Sequence, residues 1–191
     1  IALAALSRNM GVNFKPIFVL YYPYIEFSIK SYSNNSLSKS GLLSLSHCIT
    51  NTQDTIQKTE DMIKILIDVC TSNEVARGNK TIAINILGVL VLFTGENFKP
   101  YLETVMKLLF SAAQMGVNIS PDADEDIVEF VKSLRYELIQ TFTCIELTFN
   151  EKGANQFLTP FIQDMVAFLK SCVDDRNIQT IEILKSILSL I

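Results

Sequence analysis

Glycine and proline are scarce in this chain, at seven and five of 191 residues. Scarce backbone breakers argue against a loop-rich or low-complexity protein. With 49% hydrophobic residues and a net charge of only -4, the chain also fails the compositional rule for disorder. Histidine occurs once, and the four cysteines (48, 70, 144 and 172) form no C-x-x-C pair. His47 and Cys48 are adjacent, so on a helix they point about 100° apart and make a poor metal clamp. The thiols read as buried free cysteines of a reducing compartment. The basic excess of a nucleic-acid binder is missing. A long apolar run is missing too. The longest, TIAINILGVLVLF (81–93), is too short to span a bilayer and contains Asn85, so no membrane partner is expected. It suits a helix buried on nearly all sides. No signal peptide, G-x-x-x-x-G-K-[ST] or G-x-S-x-G pattern occurs. The expectation is a non-enzyme with no cofactor and no metal.

What the chain does contain is repetition. A Glu followed by Lys four residues on, within an otherwise apolar segment, appears as Glu26/Lys30, Glu60/Lys64 and Glu103/Lys107. Laying NFKPYLETVMKLL (97–109) over YPYIEFSIKSY (22–32) aligns Pro, Tyr, an aliphatic residue, Glu and Lys. A weaker relative, TPFIQDMVAFLKS (159–171), keeps Pro160 and Phe161 but has Ala167 where the Lys should fall. Intervals of about 40 residues suit paired-helix repeats of the HEAT or armadillo kind. Within 98–115, Phe98, Leu102, Val105, Leu109 and Ala112 recur at helical spacing, with Glu103 and Lys107 on the other side. Further helices are expected over 36–51, 79–94 (stopped by Gly95), 124–149 and 177–191. Repeats are placed at 1–32, 35–72, 78–116, 122–172 and, in part, 176–191. One amphipathic pair cannot cover its own apolar face, whereas stacked pairs share a continuous core.

The segment PDADEDIVE (121–129) sets Asp122, Asp124, Glu125, Asp126 and Glu129 against no basic residue. Carboxylates in a first helical turn complement its free N–H groups, and Asp122 with Glu125 has capping-box spacing. The same charges could capture an Arg/Lys-rich helix, giving fast encounter and specificity. If the second helices of the repeats lie parallel, Glu26, Glu60 and Glu103 form a carboxylate ladder, which serves either solubility or the same kind of capture.

Several motifs together carry a family resemblance. Gly95–Leu102 reads as a G-x-x-F/Y-x-x-Y-L turn into a second helix. Ala112–Gln114 ends that helix in A-A-Q, and Asp124–Arg135 follows as D-x-D-[IM]-V-[DE]-[FY]-x-x-x-L-R. MGVNFKPIFVLYYPYIEFSI, near the start, repeats the G-x-x-F entry. The chain resembles importin-beta, the nuclear import karyopherin, over nearly its whole length and in that family's C-terminal third. The resemblance implies an all-α HEAT-repeat solenoid of stacked antiparallel helix pairs, a fragment of a right-handed superhelix. It implies a transport receptor, cytoplasmic and nuclear and active at the nuclear pore. The basic N-terminal segment of importin-alpha, or basic cargo, would bind inner second (B) helices. Phenylalanine-glycine (FG) repeats of nucleoporins would bind between outer first (A) helices. Ran-GTP would act through the full-length receptor. Slot candidates are Leu42, Leu45 and Ile49 on one A helix, with Ile82 and Ile86 on the next. One departure stands out: the family grips importin-alpha with tryptophans, and this chain has none. The rival reading is a HEAT-repeat scaffold subunit of another complex without a transport role. The ends, Ile1–Leu6 and Ile187–Ile191, read as apolar surface cut from a longer array and inclined to self-associate.

Overall fold

The computed structural model describes residues 2–52, 58–115, 123–150 and 155–174. Ile1, Asp122, the partial repeat at 176–191 and its apolar end at Ile187–Ile191 lie outside them. The described residues are helical, with no strand. The helices are α1 (Ala2–Met10), α2 (Lys15–Lys30), α3 (Asn35–Thr52), α4 (Thr59–Thr71), α5 (Arg77–Thr94), α6 (Lys99–Met115), α7 (Glu125–Asn150) and α8 (Ile162–Asp174). They fall into two compact units, Ile1–Gly95 and Glu96–Ile191.

In the first unit, α3 packs on α1 and α5, forming one layer of A helices. The B helices α2 and α4 touch each other and cross to α3 and α5 respectively. The periodicity explains this. Leu42, Leu45, Cys48 and Ile49 of α3 are buried, as are Met62, Ile63, Leu66 and Val69 of α4. Each such side chain contributes about 1.5–3 kcal/mol when fully removed from water. The apolar stretch 81–93 became α5, with Ile84, Ile86, Leu87, Leu90 and Val91 all buried. Arg77–Met115 is long and apolar enough by composition to cross a membrane, but within α5 that apolar character is spent on contacts with α3 and α4.

Two entry turns share one device. Gly11–Phe14 and Gly95–Phe98 are single 3-10 turns leading into α2 and α6. Gly11 and Gly95 have positive φ, 51° and 60°, a backbone conformation that costs other residues about 1–3 kcal/mol. Phe14 and Phe98, three residues on, are completely buried. The glycine reverses the chain and the phenylalanine pins the reversal to the core. Gly95 also closes α5, donating its N–H to the Val91 carbonyl. These turns correct the alignment drawn from sequence. GVNFKP and GENFKP are the equivalent pieces, which sets Pro16, not Pro23, against Pro100. Pro23 instead lies inside α2, where it leaves a carbonyl one turn earlier without its donor.

In the second unit α6 packs on α7, and α7 on α8. Short 3-10 turns at Asn155–Phe157 and Thr159–Phe161 lead into α8. An aromatic cluster joins the three helices. Phe142 lies 5.6 Å from Phe110 and 5.8 Å from Phe168, ring centre to centre.

Cys48, Cys70 and Cys172 are buried and Cys144 is half-buried, all as free thiols. Burial pushes the Cys48 thiol up to about 11 and Cys70 up to about 12, and raises Cys144 as well.

At Gly41, α3 passes close against the end of α2. A methyl group there would meet the Ile29 backbone nitrogen at 2.8 Å and Ser28 Cβ at 2.9 Å. Nearby, the buried Ser38 hydroxyl donates to the Ile29 carbonyl (3.0 Å), tying α3 to the end of α2. Gly78, in the first turn of α5, has nothing within 4 Å. Gly41→Ala should therefore destabilise by about 1–3 kcal/mol through forced separation of α2 and α3. Gly78→Ala should stabilise by roughly 0.4–1 kcal/mol through reduced unfolded-state entropy. Chemical denaturation of the two variants checks both signs, and equal destabilisation would contradict the packing described.

Candidate partner-binding surfaces

All three Glu/Lys pairs read from the sequence form. Lys30 Nζ meets Glu26 Oε1 at 2.6 Å, Lys64 meets Glu60 at 2.5 Å, and Lys107 meets Glu103 at 2.6 Å. Each is a solvent-exposed i,i+4 bridge, screened by water and salt, and so contributes little to stability. The hydrogen bond from Lys107 holds the Glu103 carboxyl below its usual range, and the bond to Glu26 raises the Lys30 ammonium. The geometry changes what the carboxylates offer: each is already neutralised by its own lysine.

Glu26 and Glu60 stand on contacting helices of the first unit. The start of α4 comes up against α2 at Tyr22, with the Lys58 ammonium 5.9 Å from the Tyr22 ring and Lys58 paired to Asp61 at 3.0 Å. Burial first, then Glu26 and Asp61, push the Tyr22 phenol far above its ordinary value. Glu103 belongs to the second unit. By the equivalence of the two entry turns it corresponds to Val19, not Glu26.

Of the acidic segment, Asp122 lies outside the described residues. Asp124 precedes α7, and its carbonyl accepts the first two backbone bonds, from Ile127 (2.9 Å) and Val128 (3.1 Å). Asp124, Glu125 and Asp126 are exposed. Glu125 and Asp126 occupy the first turn, where the helix dipole favours them. Glu129 is neutralised by Lys132 at 2.8 Å.

The apolar slot candidates are corrected. Leu42, Leu45, Ile49 and Ile86 are at most 1% exposed. They hold the core and offer no surface, and only Ile82 of the five is half-buried. An accessible groove between A helices lies one interface earlier and one residue round the helix. It is a groove of about 310 Å³ between α1 and α3, lined by Ala4, Ala5, Leu43 and His47 with Arg8 at its edge. The small Ala4 and Ala5 keep it open. The sequence signal was available: Leu43 with His47, and Ser40 with Ser44, recur at i,i+4, a mixed stripe beside the apolar one.

A second surface had not been expected. On α2, Phe18, Tyr22, Ile25 and Ile29 face the core, while Leu20, Tyr24 and Phe27 point the opposite way at 68%, 68% and 70% exposure. Tyr21, half-exposed beside them, lies 6.2 Å from Tyr24 ring to ring. A helix apolar all round is normally buried. The corresponding face of α4 carries Glu60, Lys64 and Asp68 instead.

In the second unit, a groove of about 450 Å³ runs between α6 and the turns that lead into α8. Leu102, Phe157, Pro160 and Phe161 line it, with Lys99, Glu103 and Lys107 on its rim. The Lys99 ammonium sits 3.5 Å from the centre of the Phe157 ring, a cation–π contact worth about 0.5–1 kcal/mol at an exposed site. Among the described residues, no group of three or more His, Cys, Asp or Glu side chains could hold a metal ion.

Comparison with known proteins places these surfaces in context. The family model for importin subunit beta-1-like proteins, described by its TPR repeats, matches residues 1–191. TPR and HEAT units are both antiparallel helix pairs of about 34–47 residues. Importin subunit beta-1 of Arabidopsis thaliana is 25% identical over 183 residues, covering 95% of this chain and 21% of that protein. A crystal structure of importin beta matches 99% of this chain and 22% of its own, with TM-score 0.89 and 20% identity. A Kap95:Nup1 complex matches 91% and 20%, with TM-score 0.80 and 15% identity. The shared fold is the all-α HEAT solenoid of paired helices. The chain spans about a fifth of the length of these relatives.

The bridge at Glu103 can be read directly. In an NMR titration the Glu103 carboxyl should titrate below the ordinary glutamate range, and Lys107→Gln should bring it back up. Because a depressed carboxyl favours the folded state only above its unfolded value, that small contribution disappears as pH falls through the folded one. An unchanged Glu103 titration in Lys107→Gln would show that the bridge does not persist in solution.

Proposed function

The chain belongs to the importin subunit beta-1-like family, and on that premise we propose that it is a segment of a nuclear transport receptor, acting between cytoplasm and nucleus at the pore. Its work is binding, not catalysis. A basic amphipathic segment, of the importin-alpha N-terminal kind or from basic cargo, docks on the free face of the B helices. FG repeats of nucleoporins dock between A helices, in the α1–α3 groove. Ran-GTP acts through the longer receptor.

The observation that carries this reading is the outward stripe of α2. Leu20, Tyr24 and Phe27 form an apolar, aromatic strip that stays about two-thirds exposed against the described residues, and large exposed patches of this kind mark interaction surfaces. Aromatic faces also attract guanidinium and ammonium groups. The stripe therefore supplies, with Tyr and Phe, the grip that the family resemblance assigns to tryptophan. The carboxylates act differently from a bare ladder. An incoming cation meets Glu26 already bonded to Lys30, so it competes for that carboxylate and gains little net charge energy. Affinity then rests on aromatic and apolar contact, and the exposed carboxylates Asp124, Glu125 and Asp126 add long-range attraction. The Kap95:Nup1 complex supports the nucleoporin part of the reading. Weak A-helix contacts repeated along a receptor give avidity with fast exchange.

The test is fluorescence polarisation with a labelled basic importin-alpha N-terminal peptide and the 191-residue chain. Tyr24→Ala with Phe27→Ala should weaken binding about tenfold, as expected for interface aromatics, and Glu26→Gln by less than about threefold. In parallel, Leu43→Glu should abolish weak binding of an FG peptide. A basic peptide indifferent to the α2 double substitution would remove the stripe from the mechanism, and binding of neither peptide would favour a scaffold role.

A further inference from the structure

The α6 groove differs in the sign of its charge from the exposed carboxylates Asp124, Glu125 and Asp126 that open α7. Its walls are mostly apolar, from Leu102, Phe157, Pro160 and Phe161, with the Gln156 amide beside them. Its volume, about 450 Å³, lies within the range of preformed ligand pockets. Three charges stand on its rim. Lys107 and Glu103 cancel each other in their 2.6 Å bridge. Lys99 has no carboxylate partner among the described residues, and its ammonium rests 3.5 Å above the Phe157 ring. A π face orients an ammonium without neutralising it, so the rim keeps one net positive charge, fixed in place beside an apolar hollow.

From this we infer that the α6 groove binds an acidic peptide segment, an apolar side chain in the hollow with a neighbouring carboxylate on Lys99. The inference goes beyond the proposed function, whose B-helix partner is basic. A lysine or arginine entering here would meet Lys99 and the already bonded Glu103, gaining no free carboxylate and one repulsion. A glutamate or aspartate would gain a charge-assisted hydrogen bond to Lys99, while its apolar neighbour leaves water for the aromatic walls. The two B-helix surfaces, on α2 and on α6, thus select opposite charges. This also reverses the role expected for Glu103. It is not the grip on a cation but the residue that weakens this groove for anions.

The experiment uses the 191-residue chain and three short labelled peptides, each with a central phenylalanine flanked by glutamate, by glutamine or by lysine. Anisotropy at low salt should rank glutamate about tenfold tighter than glutamine, with lysine weakest, and high salt should collapse the ranking. Lys99→Gln should erase the preference for glutamate over glutamine. Glu103→Gln should strengthen the glutamate peptide roughly threefold, a gain that a damaged fold cannot mimic. Equal binding of glutamate and glutamine peptides, no binding of any peptide, or weaker glutamate binding in Glu103→Gln would each overturn the inference. So would sedimentation showing a dimer that Lys99→Glu dissociates, which would assign the groove to a second copy of the chain. The basic peptide on α2 uses Tyr24 and Phe27, residues remote in sequence from this groove, so failure here and failure of the proposed function read out separately.

Discussion

Within the first unit, no described helix pair covers its own apolar stripe. Two stripes per pair need cover, and each pair supplies only one complementary surface. The solution in the first unit is lateral. The A helix α3 is flanked by α1 and α5 and overlaid by α2, so Leu42, Leu45 and Ile49 reach complete burial only because three neighbours converge on them. The approach is close enough that Gly41 has no room for a side chain. The buried entry phenylalanines, Phe14 and Phe98, set where each B helix begins and so fix which faces the stack can reach.

Function follows from what this stacking leaves uncovered. Helices α2 and α5 are the two most apolar of the described helices, yet they meet opposite fates. The neighbours of α5 close over most of it, while α2 keeps Leu20, Tyr24 and Phe27 in water. A fold that needed only stability would have made that face polar, as it did on α4. The charged residues tell a complementary story. Glu26, Glu60 and Glu103 each bind a lysine one turn on, so each of these carboxylates is neutralised locally. Among the described residues, Lys99 on its aromatic ring and the exposed carboxylates opening α7 show no such bridge. A carrier that must release its load gains from surfaces whose attraction is partial and salt-sensitive.

Much of this architecture was legible in the sequence. The 3.6-residue periodicity placed α3, α5, α6 and α7 within one or two residues of their observed ends, and the G-x-x-F entries and the i,i+4 bridges were visible as written. The failures were of register. Leu42 and Leu43 differ by about 100° on a helix, and the purely apolar spacing of Leu42, Leu45 and Ile49 marks the core face, whereas Leu43 shares its stripe with His47 and faces the groove. The pairing of Pro23 with Pro100 matched composition but not position, because a proline is tolerated within α2 where its freed carbonyl can meet water. The stripe on α2 and the groove at Phe157 were hidden for a related reason. Apolar periodicity signals burial against something, and sequence does not distinguish a neighbouring repeat from a visiting partner.

The most direct measurement of mutual cover is hydrogen exchange in a chain carrying Leu45→Ala, which hollows the α3 core without touching any surface described above. If the pairs shelter one another, protection should fall together across α1, α2, α3 and α5, because each loses part of its cover when α3 loosens. Loss of protection confined to α3, with its neighbours unchanged, would show that the helices stand independently and would contradict the account.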